Sequence, residues 1–155
     1  MNLKLELTKA QEAYKKGTSD QQQLLIDLYG AEHFLTDVKD LLKGYASACV
    51  LLQRDQLTLN DFKKGRSEKQ AKREFARHRI STCIECVNEG WYPDFDNTNE
   101  AKFYIWMYGK KSGFSSGVYV IYYGTEVGSD LYCETREKAE LIEKICREDY
   151  IEYLF

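Results

Sequence analysis

The apolar positions of this chain change period past its middle. Up to residue 89 they recur every third or fourth position, as on one face of a helix, and from Lys102 they alternate, as on a strand. Thr8 and Gln11 stand at the spacing of a reciprocal N-terminal cap and predict a first helix over 8–16, stopped at Gly17. Ser19 and Gln22 repeat that spacing ahead of Leu24, Leu25 and Leu28, which predicts a second helix over 20–29 ending at Gly30. Thr36 is placed to cap a third, with Val38, Leu41, Leu42, Tyr45 and Cys49 on its inward side. The stretch "QRDQLTLNDFKKG" keeps no period and reads as a loop. Ser67 and Gln70 then cap the longest helix, which runs to Asn88 with Ala76, Ile80, Cys83, Ile84 and Val87 in one stripe.

Gly90 and the only proline, Pro93, stop that helix: glycine accepts a left-handed cap, and proline has no N–H to donate. Beyond them, Phe103, Ile105 and Met107 alternate with Tyr104, Trp106 and Tyr108, the mark of a strand. "GKKSG" makes a turn into "FSSGVYVIYYG", and "TEVGSDLYCE" follows as a third strand. The links are too short for a parallel crossover, so the strands form an antiparallel meander. Thr135 caps a final helix with Ala139, Ile142, Ile145 and Cys146 on one face. The expected fold is therefore α+β: a helical N-terminal half over 1–89, a three-stranded antiparallel β-meander within 90–134, and a C-terminal helix over 135–155 packed on the sheet. At 155 residues these form a single domain, 1–155.

Composition excludes some classes. No apolar run approaches the roughly 20 residues that span a bilayer, so no membrane association is expected. "MNLKLELTKAQEAYKKG" lacks the apolar core and small-residue cleavage site of a secretory signal, which points to the cytoplasm. Five cysteines, an odd number, argue against a disulfide framework and for reduced thiols. Charge is divided unevenly: residues 1–80 carry 15 Lys and Arg against 11 Asp and Glu, and residues 81–155 carry 7 against 14. The basic excess lies in "KKGRSEKQAKREFARHR", where Lys69, Arg73 and Arg77 recur at helical spacing. They are the candidates for a nucleic-acid face, against the plainer reading of a solvated helix surface that also carries Glu68 and Glu74.

Three stretches invite chemistry. Cys83 and Cys86 have the spacing of metal or redox thiols, but no second pair joins them, His33 and His78 are isolated, and the pair lies late in a helix rather than at its start; core cysteines are the better reading. In "WYPDFDNTNEAKFYIW", the oxygens of Asp94, Asp96, Asn97, Asn99 and Glu100 resemble a calcium loop in part. Counted as such a loop, however, Asn99 takes the glycine position and Ile105 the closing glutamate. A turn held by Asx side chains and anchored by Trp91 and Phe95 is the preferred reading, and neither a metal nor a cofactor is expected. Asp94 and Glu100 serve as acid and base only where a fold sets them across a substrate. With no phosphate loop, nucleophile elbow or hydrolase signature, the sequence leans away from an enzyme and assigns no catalytic residue.

The aromatic density of the strands is more informative. Tyr104, Trp106 and Tyr108, with Tyr119, Tyr122, Tyr123 and Tyr132, offer rigid apolar area with hydrogen-bonding tips, suited either to a core covered on both faces or to a partner-binding surface. Trp91, Asp94, Asp96, Asn97 and Asn99 would rim that surface.

Taken together, "LIDLYGAEHF", "NEGWYPDFDNTNEAKFYIW" and "VGSDLYCETREKAELIEK" resemble an uncharacterised family of small proteins of phages and mobile elements of gut Bacteroidetes. The central segment carries most of the resemblance, and the chain departs from it at Asp130, where a basic residue is expected. The resemblance implies a phage or prophage accessory protein in the cytoplasm of a bacterial host, binding a host or mobile-element macromolecule, with inhibition of a defence system as one such role. A protein partner is expected. The alternative is a nucleic-acid or nucleotide-binding module that uses the aromatic sheet and the basic helix.

Overall fold

The computed structural model describes residues 3–30, 33–34, 37–110 and 113–155, with side chains from Lys9 onward except Lys110. The chain divides into two compact units, 1–41 and 42–155. In the first, α1 (Leu3–Lys16) packs with α2 (Ser19–Tyr29), followed by the single turn α3 (Val38–Leu41). Helix α1 starts five residues ahead of Thr8 rather than at it. The cap of α2 lies one residue earlier than expected: Gln21 Oε1 accepts the Thr18 N–H at 3.0 Å. Gly30 ends α2 at φ 93°, as its position predicts, and its N–H reaches the Ile26 carbonyl at 2.8 Å. Phe34 stacks on Tyr14 at 5.0 Å. The Thr36 cap falls outside the described residues.

The second unit holds α4 (Tyr45–Leu51), a 3-10 turn at Leu59–Phe62, α5 (Glu68–Asn88), β1 (Lys102–Lys110), β2 (Gly113–Ile121), a 3-10 turn at Ser129–Leu131, α6 (Arg136–Ile145) and α7 (Arg147–Leu154). The expected third helix is thus broken into α3 and α4, because Gly44 takes φ 150° between them. Helix α5 is the axis of this unit, touching α4, α6, α7 and both 3-10 turns. Its ends are those the sequence marks: Ser67 and Gln70 exchange side-chain and backbone bonds at 3.3 and 3.0 Å, and the expected stripe from Ala76 to Val87 is buried. The left-handed reversal begins at Glu89 (φ 52°) and continues through Gly90 (φ 91°).

The fold is α+β, and among the described residues it has seven α-helices and a two-stranded antiparallel sheet. The third strand is a correction. Residues 125–134 give one bridge, Cys133 to Phe103, beside β1 rather than β2. The segment is diverted by local bonds: the Tyr132 hydroxyl accepts the Glu126 and Val127 N–H groups at 2.8 and 3.4 Å, and Ser129–Leu131 close a 3-10 turn. The C-terminal helix is also broken, at Cys146 (φ −109°, ψ 13°); α6 packs on both strands and α7 on α5.

Candidate functional site

Cross-strand register sets the two faces of the hairpin. Tyr104 pairs with Tyr119, Trp106 with Gly117 and Tyr108 with Ser115; Ile105 pairs with Val118 and Met107 with Ser116. The Ile105 face is the inner one. Ile105 and Met107 are buried, and Ser116 there bonds Glu143 of α6 and accepts Arg147 of α7 at 2.7 Å. The other face stays open at its centre, with Trp106, Tyr108 and Tyr119 each about two-fifths exposed.

The rings on that face touch in series. Tyr104 meets Trp106 edge-on at 6.4 Å and Tyr119 at 5.9 Å, and Tyr108 meets Tyr119 at 6.4 Å and shares a hydroxyl–hydroxyl hydrogen bond with it. Tyr119 packs its ring over Gly117: a Cβ there would sit 3.1 Å from the ring, tight enough to press it a few tenths of an ångström away. The Tyr108 hydroxyl titrates above its ordinary value because of that bond to Tyr119, and the Tyr104 hydroxyl does so chiefly through burial, so both stay protonated at physiological pH. Inward, the series continues from Tyr104 to the fully buried Tyr132 at 5.7 Å and on to Phe95 at 5.5 Å.

Phe95 joins this face to the acidic turn, and the turn is built around a cation already in the chain. The Lys102 ammonium, fully buried, donates to the carbonyls of Asn97 and Glu100 at 3.1 and 3.0 Å, lies 3.4 Å from Glu100 Oε1, and sits 5.7 Å above the Phe95 ring. Glu100 in turn accepts the Asp94 N–H at 3.0 Å. Asp94 and Asn97 cap the N–H groups two residues on, at 3.0 and 3.1 Å, which makes two successive Asx turns. The side chains of Asp94, Asp96, Asn97 and Asn99 are exposed, so they are available at the rim. Lys102 is the residue that sequence reasoning missed. Its signal was present: a lysine opening an aromatic strand directly after an acid-rich turn.

Trp91 is not part of the ring series. Half-buried, it lines a separate cleft of about 420 Å³ with Ile84, Asn88, Tyr92, Pro93 and Tyr132. Asn88 anchors this region, donating to the Tyr132 carbonyl at 2.8 Å and accepting the Glu134 N–H at 3.2 Å. Two of the three basic candidates on α5 are bonded within the chain while staying partly exposed: Arg77 pairs with Asp130 at 2.6 Å and Arg73 Nε donates to the Tyr153 carbonyl at 2.8 Å. Asp130 thereby gains a structural role at the position where the sequence resemblance expects a base. Lys69 lies one turn away from Arg73 beside Lys72 and Phe114.

All five cysteines are buried and free. Burial pushes the Cys86 thiol up to about 11 and the Cys133 thiol up to about 12, and Cys146 is raised first by its bond with Cys83. Thiols so disposed are packing groups rather than nucleophiles. Among the described residues no three His, Cys, Asp or Glu side chains gather at metal-holding distance, and no helix is long and apolar enough to cross a membrane. No protein-family model, curated protein or solved structure matches the chain.

Proposed function

We propose that this chain is a non-enzymatic accessory protein of a phage or mobile element that acts in the cytoplasm of its bacterial host by binding a protein. The exposed ring series Trp106, Tyr108 and Tyr119 carries this reading. Contiguous apolar surface of this kind is uncommon on a protein without a partner, and Trp and Tyr are among the residue types that dominate binding energy. A defence enzyme of the host is the partner class that the phage-like sequence resemblance supports. Protein is favoured over nucleic acid because Arg73 and Arg77, two of the three basic candidates, are engaged within the protein itself.

The test is affinity capture from host cells with quantitative mass spectrometry, comparing the native chain with Tyr108→Ala and Tyr119→Ala variants of unchanged fold. A saturable protein partner held by the native chain and lost by the variants supports the reading. Absence of any saturable partner at native salt, or equal capture by the variants, would sink it.

A further inference from the structure

The hairpin treats its two outer edges differently. On β1, Phe103 exchanges both backbone bonds with Cys133, at 3.0 and 2.7 Å, on the side away from β2. The alternation of an antiparallel ladder then sends the N–H and C=O groups of Ile105, Met107 and Gly109 outward as well. On β2 the corresponding carbonyls of Phe114 and Val118 accept Arg147 and Arg136, at 2.8 and 3.3 Å, so that edge is blocked by charged side chains.

The β1 edge has no such guard. Among the described residues none bonds the outward backbone groups of Ile105 and Met107. Both residues line a cleft of about 390 Å³ together with Val127, Leu131, Leu154 and Phe155. Glu126 is the charged side chain in that lining, and it has no ion-pair partner among the described residues. The surrounding half of the chain is acidic, with 14 Asp and Glu against 7 Lys and Arg over 81–155.

We propose that this cleft receives one added strand: a short extended cationic segment of the protein partner, paired through its backbone with Ile105, Met107 and Gly109. Alternate apolar side chains of the segment meet Leu131 and Val127, and a Lys or Arg meets Glu126. From Ile105 to Gly109 the edge is about 13 Å long, enough for a few residues of extended chain. Main-chain bonds supply affinity in such strand addition, and the side-chain pocket supplies selection. The proposal rests on the protein-binding reading and names how the partner is held.

The experiment pans random displayed peptides of about ten residues against the intact chain, then remakes an enriched peptide with single backbone N-methyl groups. Strand addition predicts enrichment of alternating apolar residues with Lys or Arg. It also predicts binding weakened about tenfold by N-methylation at every second position and little affected at those between. Glu126→Gln weakens binding at low salt, whereas Glu140→Gln, which removes an exposed carboxylate outside the cleft, leaves it unchanged. Several results overturn the proposal: no enriched peptide, N-methyl sensitivity without period two, indifference to Glu126→Gln, or a second copy of this chain occupying the edge. Peptides lost with Tyr119→Ala but without period two would overturn it while leaving the aromatic face as the binding surface.

Discussion

Lys102 Nζ and the Glu100 carbonyl are 3.0 Å apart, and the same ammonium lies 3.4 Å from Glu100 Oε1 inside the turn that Asp94 opens. The cation that an acid-rich loop calls for is a side chain of the strand that follows it. Lys102→Met removes it and leaves the Asn97 and Glu100 carbonyls and the Glu100 carboxylate without their shared donor. The expected cost is about 3 kcal/mol, measured by urea denaturation. Calcium added to the native protein is expected to leave its melting temperature unchanged; a calcium-dependent rise would contradict this account of the turn.

Asn88 ties the end of α5 to the strand-like segment that carries Tyr132 and Glu134. Asn88→Ala strands a donor and an acceptor of the backbone in a site where Asn88 is 5% exposed. Stability should fall by about 2 kcal/mol in denaturant titration, more than for a surface Asn such as Asn99.

His78 makes stability depend on pH. Burial, reinforced by the nearby Arg54 charge, holds its pKa below the ordinary 6.5, and its Nε2 lies 3.2 Å from the Tyr45 hydroxyl. As pH falls, the unfolded chain takes up this proton first, so the contribution of His78 is full above about 6.5 and is lost below it. The denaturation midpoint should decline as pH falls below about 6.5 in the native protein and decline less in His78→Gln.

Tyr150 is 3% exposed, and its hydroxyl has no hydrogen-bond partner among the described residues. Tyr150→Phe discards an unsatisfied group while keeping the ring, and should raise stability by up to about 1 kcal/mol. A clear loss of stability on calorimetry would mean that the hydroxyl is bonded after all.

Local signals were legible where they acted alone. The Ser67–Gln70 cap, the stripe of α5 and the alternation around Phe103–Tyr108 each specify their element through neighbours in sequence. The loss of the third strand was not legible, because the Tyr132 hydroxyl reaches back along its own segment and captures the Glu126 and Val127 N–H groups that a ladder would have used. The break at Cys146 was equally hidden, since the residues on either side continue a helical pattern while packing divides them between the sheet and α5. Within the candidate site, the strand period separates Trp106 from Met107, but it does not say which face stays open. That follows from α6 and α7 covering the Ser116 side, and from Tyr119 packing its ring over Gly117.

Recognition through the open face is the central claim, and Trp106 reports on it directly. The chain has two tryptophans, so Trp91→Phe leaves Trp106 as the sole indole, 41% exposed in the free protein. Adding the captured partner to this variant should shift the Trp106 emission to shorter wavelength and protect it from acrylamide, with both effects saturating at the same partner concentration. Saturable binding that leaves the emission and quenching of Trp106 unchanged would contradict the claim.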